Sequence, residues 1–127
     1  MSSNRRILVA DDDPRVTAAL STRLENKGFE VITASDGYNS FAKAVRDRPD
    51  VMLLDINMPA GDGFSVLERM ERMDEQGGIP TIYLTGDHSA RLDAMATSLG
   101  ALAVHHKPID MKLLMSDIDR ALRPRAA

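Results

Sequence analysis

Residues 51–63 of the chain read VMLLDINMPAGDG. The consecutive apolar residues from Val51 to Leu54 are typical of a strand that is covered on both faces of a sheet. The run leads directly into Asp55 and then into a turn that contains proline and glycine. The stretch therefore predicts a buried strand whose carboxyl end presents a single carboxylate.

Further short apolar runs, at residues 7–10, 31–34, 81–84 and 103–105, alternate with segments of helical periodicity. Such alternation predicts an α/β fold in which helices cover both faces of a parallel sheet. We expect a flavodoxin-like (βα)5 doubly wound sandwich with a five-stranded parallel sheet in the order 2-1-3-4-5. The ligand site of such a sheet lies at the carboxyl ends of the strands, beside the point where the strand order reverses.

The residues at the predicted helix boundaries support this division of the chain. Short polar side chains favour helix starts, whereas glycine and proline favour helix ends. The expected caps are Asp13 followed by Pro14, Ser35 or Asp36, and Asp110; the expected stops are Gly28, Arg48 with Pro49, and Pro124.

The composition is that of one soluble domain. The chain has 127 residues, 43% of them hydrophobic, which is enough to bury one core without disulfides. A net charge of −3 gives no reason to expect direct binding of nucleic acid or of an anionic membrane. The absence of cysteine excludes a thiolate metal site and a cysteine nucleophile, and the first apolar run is too short for a signal peptide or a membrane span. We expect a cytoplasmic protein with one domain over residues 1–127, its core at about 6–122 and a tail or linker root at 123–127.

Polar side chains of functional types follow most of the predicted strands. They are Asp11, Asp12 and Asp13 after the first strand, Asp55 after the third, Thr85 after the fourth, and Lys107 with Pro108 after the fifth. One acid suffices to cap a helix, and Asp13 suits that role. Carboxylates gathered in one crevice repel each other unless a cation joins them. A hard divalent cation such as Mg²⁺ meets that need, and Lys107 supplies a second positive charge.

Carboxylates, Mg²⁺, a hydroxyl and an ammonium are together the groups that hold a phosphoryl group. Aspartate is a nucleophile for phosphoryl groups and forms an acyl phosphate with them. Asp55 is the carboxylate left free to attack, while Thr85 and Lys107 bind other oxygens of the incoming group. In this interpretation the buried strand is a rigid mount for a phosphate acceptor.

The motifs ILVADDDP, LLDINMPAGDG, IYLTG and HHKPI, in this order and at these intervals, resemble those of response regulator receiver domains of two-component signal transduction, such as the chemotaxis-regulator-like ones. The resemblance extends from Arg6 to Leu122. It implies that Asp55 accepts a phosphoryl group from a phosphohistidine on a sensor histidine kinase or a histidine phosphotransfer protein. The implied ligands of Mg²⁺, for which Mn²⁺ is able to substitute, are Asp12 directly, Asp11 mainly through water, a carboxylate oxygen of Asp55 and the backbone carbonyl of Asn57.

The resemblance also implies how the signal is read. Thr85 is the switch hydroxyl, Lys107 pairs with the phosphate, and the Lys107–Pro108 peptide is cis. Phosphorylation is expected to shift a pre-existing equilibrium at the surface formed by the fourth helix, fifth strand and fifth helix. That surface would control a downstream effector protein or a C-terminal domain missing from this chain, as a monomer or as a phosphorylation-dependent dimer. The domain is expected to be a switch that assists only its own phosphorylation and dephosphorylation, not a metabolic enzyme.

Several positions depart from the family pattern. Val104 stands where a Tyr or Phe ring usually moves inward with the threonine hydroxyl, so the aromatic half of the switch is missing here. Gly86 and Ile109 also differ from the residues that are usual at their positions. Asn57 and Asp87 occupy two positions that tune the lifetime of the acyl phosphate in this family, and an acid opposite Asn57 would orient the hydrolytic water. We therefore expect a short-lived phosphorylated state.

Other interpretations remain open at this point. A phosphorylation-independent scaffold of the same fold is favoured by Val104 and disfavoured by the intact set of acids, threonine and lysine. An aspartyl-phosphate phosphatase of the haloacid dehalogenase type needs a second acid two residues after the nucleophile, where this chain has Asn57.

The adjacent His105 and His106 suggest a metal site, but neighbouring residues on a strand point to opposite faces. We therefore favour packing of the two histidines over shared ligation of one metal.

Overall fold

The computed structural model describes residues 5–59, 63–73 and 78–123. Its strands are β1 (Arg6–Ala10), β2 (Glu30–Ala34), β3 (Val51–Asp55), β4 (Thr81–Thr85) and β5 (Ala103–His106). Its helices are α1 (Pro14–Asn26), α2 (Gly37–Asp47), α3 (Gly63–Met73), α4 (Ala90–Ser98) and α5 (Met111–Leu122). All strand pairs are parallel and the order is β2-β1-β3-β4-β5, so the predicted flavodoxin-like sandwich is confirmed.

The sheet divides the core into two layers. One layer packs under α2, α3 and α4 and includes Leu54 and Tyr83, whereas the other packs under α1 and α5 and includes Leu53 and Leu84. Every residue of β3 is buried because both of its faces are covered. This explains why the run from Val51 to Leu54 lacks the alternation of polar and apolar residues seen in half-exposed strands. No helix in the described ranges is long and apolar enough to cross a membrane.

The predicted helix boundaries are largely confirmed. Asp13, Asp36 and Asp110 each accept a hydrogen bond from a backbone N–H in the first turn of the helix that follows, and Asp36, not Ser35, caps α2. Gly28 follows α1 with a φ of 94°, a value that glycine adopts without strain. Arg48 ends α2 in the left-handed conformation. The predicted stop at Pro124 lies outside the described residues.

The start of α3 is pressed against the end of the buried strand β3. The Gly63 N–H donates to the carbonyl of Ile56 at 2.9 Å. A Cβ added to Gly63 would lie 2.6 Å from the carbonyl oxygen of Asp55. The Tyr83 hydroxyl, on the neighbouring strand β4, donates to the carbonyl of Gly63 at 3.2 Å. The backbone that carries Asp55 is therefore held between α3 and β4.

We predict that Gly63→Ala destabilises the fold, because the new methyl group must displace the Asp55 peptide. Overpacking of this kind costs about 1–3 kcal/mol of unfolding free energy, which a urea titration measures. Gly78→Ala is the matched control, since a Cβ there meets no atom within 4 Å; its effect should stay within about 0.5 kcal/mol. Equal unfolding midpoints for the two variants would contradict the close approach.

Candidate functional site

The carboxyl ends of β1 and β3 bring three carboxylates into one small volume. Asp11, Asp12 and Asp55 each place an oxygen within 4.8 Å of the others. They meet because β1 and β3 are adjacent parallel strands that end at the same edge of the sheet. Asp11 is 1% exposed and Asp55 is 4% exposed, whereas Asp12 faces solvent. The predicted cluster of acids is therefore present, with two members buried.

Lys107 bridges the two buried carboxylates. Its Nζ lies 2.7 Å from Asp11 Oδ2 and 3.3 Å from Asp55 Oδ2, and it donates a hydrogen bond to the latter. Its backbone N–H donates to the carbonyl of Thr85 at 2.7 Å, and the Lys107–Pro108 peptide is cis, as expected. Partial burial lowers the pKa of the Lys107 ammonium, but its close contact with Asp11 and the charges of Asp55 and Asp11 outweigh burial and raise the pKa overall.

Asp55 is a buried carboxyl group with a raised pKa. Burial and, after it, the charge of Asp11 raise the pKa of Asp55 to about 6. The Asn57 N–H, 3.1 Å from Asp55 Oδ1, and the Lys107 ammonium oppose that rise without cancelling it. The carboxyl group is thus mostly ionised at neutral pH. Any further positive charge placed beside it would stabilise the ionised form.

The carboxylates fit a hard divalent cation. Asp11 Oδ1 accepts a hydrogen bond from the Asp13 N–H at 2.9 Å. Asp11 Oδ2 is buried and receives no hydrogen bond of good geometry, although the Lys107 ammonium is 2.7 Å away. A buried carboxylate oxygen without a hydrogen bond, beside two further carboxylates, is a donor set of the kind that Mg²⁺ takes. The contribution of the Asn57 carbonyl to such a site stays a prediction.

Thr85 lies at the same edge of the sheet, but none of the described hydrogen bonds joins its side chain to the carboxylates. Its side chain is buried, and its Oγ1 accepts a hydrogen bond from the Asp87 N–H at 2.9 Å. Asp87 is exposed and its Oδ1 accepts from the Ser89 N–H at 2.8 Å. Among the described contacts, none joins the side chains of Asn57 and Asp87. The hydroxyl is therefore held by the loop between β4 and α4.

Two features of β5 bear on the predicted switch. Val104 is partly buried, lies opposite Tyr83 in the β4–β5 ladder and packs on the layer that contains Tyr83. His105 Nε2 lies 2.7 Å from Asp117 Oδ2 on α5, whereas His106 Nε2 lies 3.1 Å from Asp93 Oδ1 on α4. The prediction that the two histidines point to opposite faces is confirmed.

Sequence reasoning did not identify the partners of these histidines. Besides its contact with Asp93, His106 stacks on His88, with ring centroids 4.9 Å apart and an interplanar angle of 15°. No motif or spacing marks His88 or Asp93, because both reach His106 through the tertiary fold. The sequence offered one hint of this contact: histidine occurs both in the segment after β4, as His88, and at the end of β5, as His106.

Comparison with known proteins agrees with this geometry. The family model described as response regulator receiver domain matches residues 7–119. The transcriptional regulatory protein PrrA of Mycobacterium leprae is 38% identical over 125 residues, 98% of this chain and 53% of that protein. Protein PilH of Pseudomonas aeruginosa is 32% identical over 117 residues, 92% of this chain and 97% of that protein. The crystal structure of a response regulator receiver domain protein (CheY-like) from Methanospirillum hungatei JF-1 has 29% identity and a TM-score of 0.87, with 94% of each chain covered.

The share of each relative that is covered differs. The chain spans about half the length of PrrA, and nearly the whole length of PilH.

We predict that Asp55→Asn stabilises the metal-free protein at neutral pH. Burial and the Asp11 charge raise the pKa of Asp55 from 3.8 to about 6, so the folded state binds this proton more tightly than the unfolded state does. The free energy of unfolding therefore falls as pH rises through that window. Asp55→Asn removes the cost and should add about 1–3 kcal/mol at neutral pH and nothing below about pH 4.

Urea unfolding with a chelator present, repeated across the pH range, measures this difference. Asp36→Asn is a control whose effect on the free energy of unfolding should have the opposite sign. Hydrogen bonds from Asn39 lower the pKa of Asp36, so the loss of this carboxylate should destabilise the protein at neutral pH. A stability gain for Asp55→Asn that does not depend on pH would refute the electrostatic explanation.

Proposed function

The chain belongs to the response regulator receiver domain family, and we propose that it is a phosphoacceptor switch in which Asp55 takes a phosphoryl group from a phosphohistidine of a partner protein. One observation carries the proposal: the Asp55 carboxylate stands at the end of a fully buried strand, beside the carboxylate of Asp11 and in contact with the ammonium of Lys107. The partner would be a sensor histidine kinase or a histidine phosphotransfer protein.

The transfer itself needs one nucleophile and several positive charges. A carboxylate oxygen of Asp55 forms a bond to phosphorus while the phosphorus–nitrogen bond of the phosphohistidine breaks, and its electron pair leaves with the imidazole. Asp11, Asp12, Asp55 and the Asn57 carbonyl would hold Mg²⁺, which supplies positive charge to the phosphoryl oxygens when bound. Lys107, already 3.3 Å from Asp55 Oδ2, would bind another of those oxygens.

The pKa of Asp55 suits this role. With a pKa of about 6, the carboxyl group is mostly ionised at neutral pH and is more basic than an exposed aspartate. A basic carboxylate is a better nucleophile, and its burial keeps competing water away from the acceptor oxygen.

The conformational response to phosphorylation would begin at Thr85. When its hydroxyl turns to a phosphoryl oxygen, the hydrogen bond from the Asp87 N–H must break, and the loop before α4 must change. The surface of α4, β5 and α5 would then control a separate effector or an attached C-terminal domain, in a monomer or a phosphorylation-dependent dimer. PrrA is by name a transcriptional regulator, which supports a regulatory output without naming the one used here. A cytoplasmic location would fit all of these partners.

We predict that the protein gains one phosphoryl group when it is incubated with Mg²⁺ and a small acyl-phosphate donor. The gain should be absent in Asp55→Asn, because the amide is not a nucleophile for phosphorus, and it should require the metal. Intact mass measurement of both proteins, with and without a chelator, tests this.

Asp36→Asn is the matched control for loss of a carboxylate at a helix cap outside the acid cluster, and it should be phosphorylated like the wild type. An unmodified wild-type protein, or modification that persists in Asp55→Asn, would instead favour a phosphorylation-independent scaffold.

We also predict that Asp87→Ala lengthens the lifetime of the phosphorylated state. The exposed carboxylate would orient the hydrolytic water, and its loss should slow dephosphorylation at least about threefold, a small part of what a well-placed general base supplies. Decay of the phosphoprotein after donor removal gives the rate. Asp87→Asn keeps an acceptor for the Ser89 N–H and should also dephosphorylate slowly. Ser89→Ala perturbs the same turn but should dephosphorylate at the wild-type rate. An unchanged lifetime in Asp87→Ala would exclude this role.

A further inference from the structure

The loop between β4 and α4 holds the switch hydroxyl through its backbone. Thr85 Oγ1 accepts the Asp87 N–H at 2.9 Å, and the Thr85 carbonyl accepts the Lys107 N–H at 2.7 Å. The hydroxyl also donates to the Asp87 carbonyl at 3.5 Å, so a turn toward Asp55 breaks its hydrogen bonds with the Asp87 backbone and leaves that N–H without its acceptor. Whatever holds Asp87 in place also holds the hydroxyl.

The residue after Asp87 is tied to β5 by its ring. His88 stacks on His106 with centroids 4.9 Å apart, and His106 Nε2 lies 3.1 Å from Asp93 Oδ1 on α4. His106 is also the direct ladder partner of Thr85. The His106 ring therefore contacts both the loop that follows β4 and helix α4, and it does so from the position on β5 that pairs with Thr85.

His106 lies on the face of β5 from which the expected aromatic residue is missing. Residues two apart on a strand share a face, so Val104 and His106 both face α4, and His106 is the nearer to Lys107 in the chain. Val104 has no ring that could move with the loop. The imidazole of His106 is the ring that this face of β5 presents.

We propose that His88 and His106 are positioning residues that form a latch: their stack holds the loop and the Thr85 hydroxyl in the unphosphorylated arrangement, and it opens when the hydroxyl turns to the phosphoryl group. The second part of this inference rests on the proposed function of Asp55. A metal between these rings is a poorer interpretation, since the acid cluster is the only group of three or more metal-ligating side chains that the described residues bring together, and Asp93 already occupies His106 Nε2.

The first test needs no phosphoryl group. Hydrogen exchange of the Asp87 amide in the metal-free protein reports how often its bond to Thr85 opens. In His88→Ala and His106→Ala the amide should exchange roughly three- to tenfold faster, which is the range that the energy of an aromatic pair allows. His88 is exposed, so its alanine variant folds whatever happens to the other. His106→Phe keeps a ring and should restore most of the protection.

The neighbouring histidine provides the matched control. His105 is paired with Asp117 on α5, on the opposite face of the same strand. His105→Ala should therefore leave Asp87 exchange within about twofold of the wild type even if it lowers global stability. Equal acceleration in His105→Ala, or unchanged exchange in both His88→Ala and His106→Ala, would overturn the latch.

The second test uses beryllofluoride with Mg²⁺ as a stable stand-in for the phosphoryl group. A weaker latch favours the bound arrangement, so either alanine variant should lower the half-saturating beryllofluoride concentration roughly three- to tenfold. The double variant should lower it no further than the larger single effect, because both changes break one contact. Additive effects would overturn the latch.

The two tests separate the two proposals. A wild-type protein that takes neither beryllofluoride nor a phosphoryl group contradicts the proposed function, while Asp87 exchange still decides whether the stack holds the loop. A protein that is phosphorylated normally but shows the same exchange in every variant contradicts the latch alone.

Discussion

Two carboxylates lie buried side by side at the carboxyl edge of this sheet, and the Lys107 ammonium is the charge that keeps them there. Asp11 and Asp55 repel each other, and burial makes that repulsion stronger than it would be in water. Lys107 contacts both, but it leaves the pKa of Asp55 raised and one Asp11 oxygen without a good hydrogen bond. The site is therefore stable enough to form and still short of positive charge. A divalent cation would relieve that shortage of positive charge, and under the proposed function it would also balance the negative oxygens of the incoming phosphoryl group.

Much of the fold and the identity of the acid cluster could be predicted from local signals. A continuous apolar run specifies a strand buried on both faces, and such strands occur in parallel sheets. Once the sheet is parallel, the residues after Ala10 and Leu54 must meet at one edge, because β1 and β3 are neighbours. The caps at Asp13 and Asp110 followed from the preference of unpaired backbone N–H groups for short acidic side chains. These inferences needed only residue type, period and chain order.

The state of the switch could not be predicted in this way. The direction of the Thr85 hydroxyl depends on one backbone N–H of the following loop, and the stack of His88 on His106 joins segments that no sequence period relates. The departure at Val104 did indicate that the aromatic half of the usual switch is missing here, whereas Thr85 is present. The sequence also shows His106 two residues further along the strand, but it does not show that this ring stacks on His88, because His88 lies in another loop.

A backbone hydrogen bond joins Lys107 to Thr85, and in the proposed switch this connection would link a change at Asp55 to the loop before α4. The Lys107 N–H donates to the Thr85 carbonyl, so the residue that contacts both buried carboxylates and the residue proposed to carry the switch hydroxyl are held together at the ends of β4 and β5. A new group on Asp55 shifts the equilibrium of the loop only by the difference between its interactions with the two positions of the hydroxyl. The contacts that favour the unphosphorylated position are therefore as important as those that favour the other. In the proposed latch they are the two hydrogen bonds between the Thr85 hydroxyl and the Asp87 backbone and the stack of His88 on His106, interactions whose modest energies a phosphoryl group on Asp55 would outweigh.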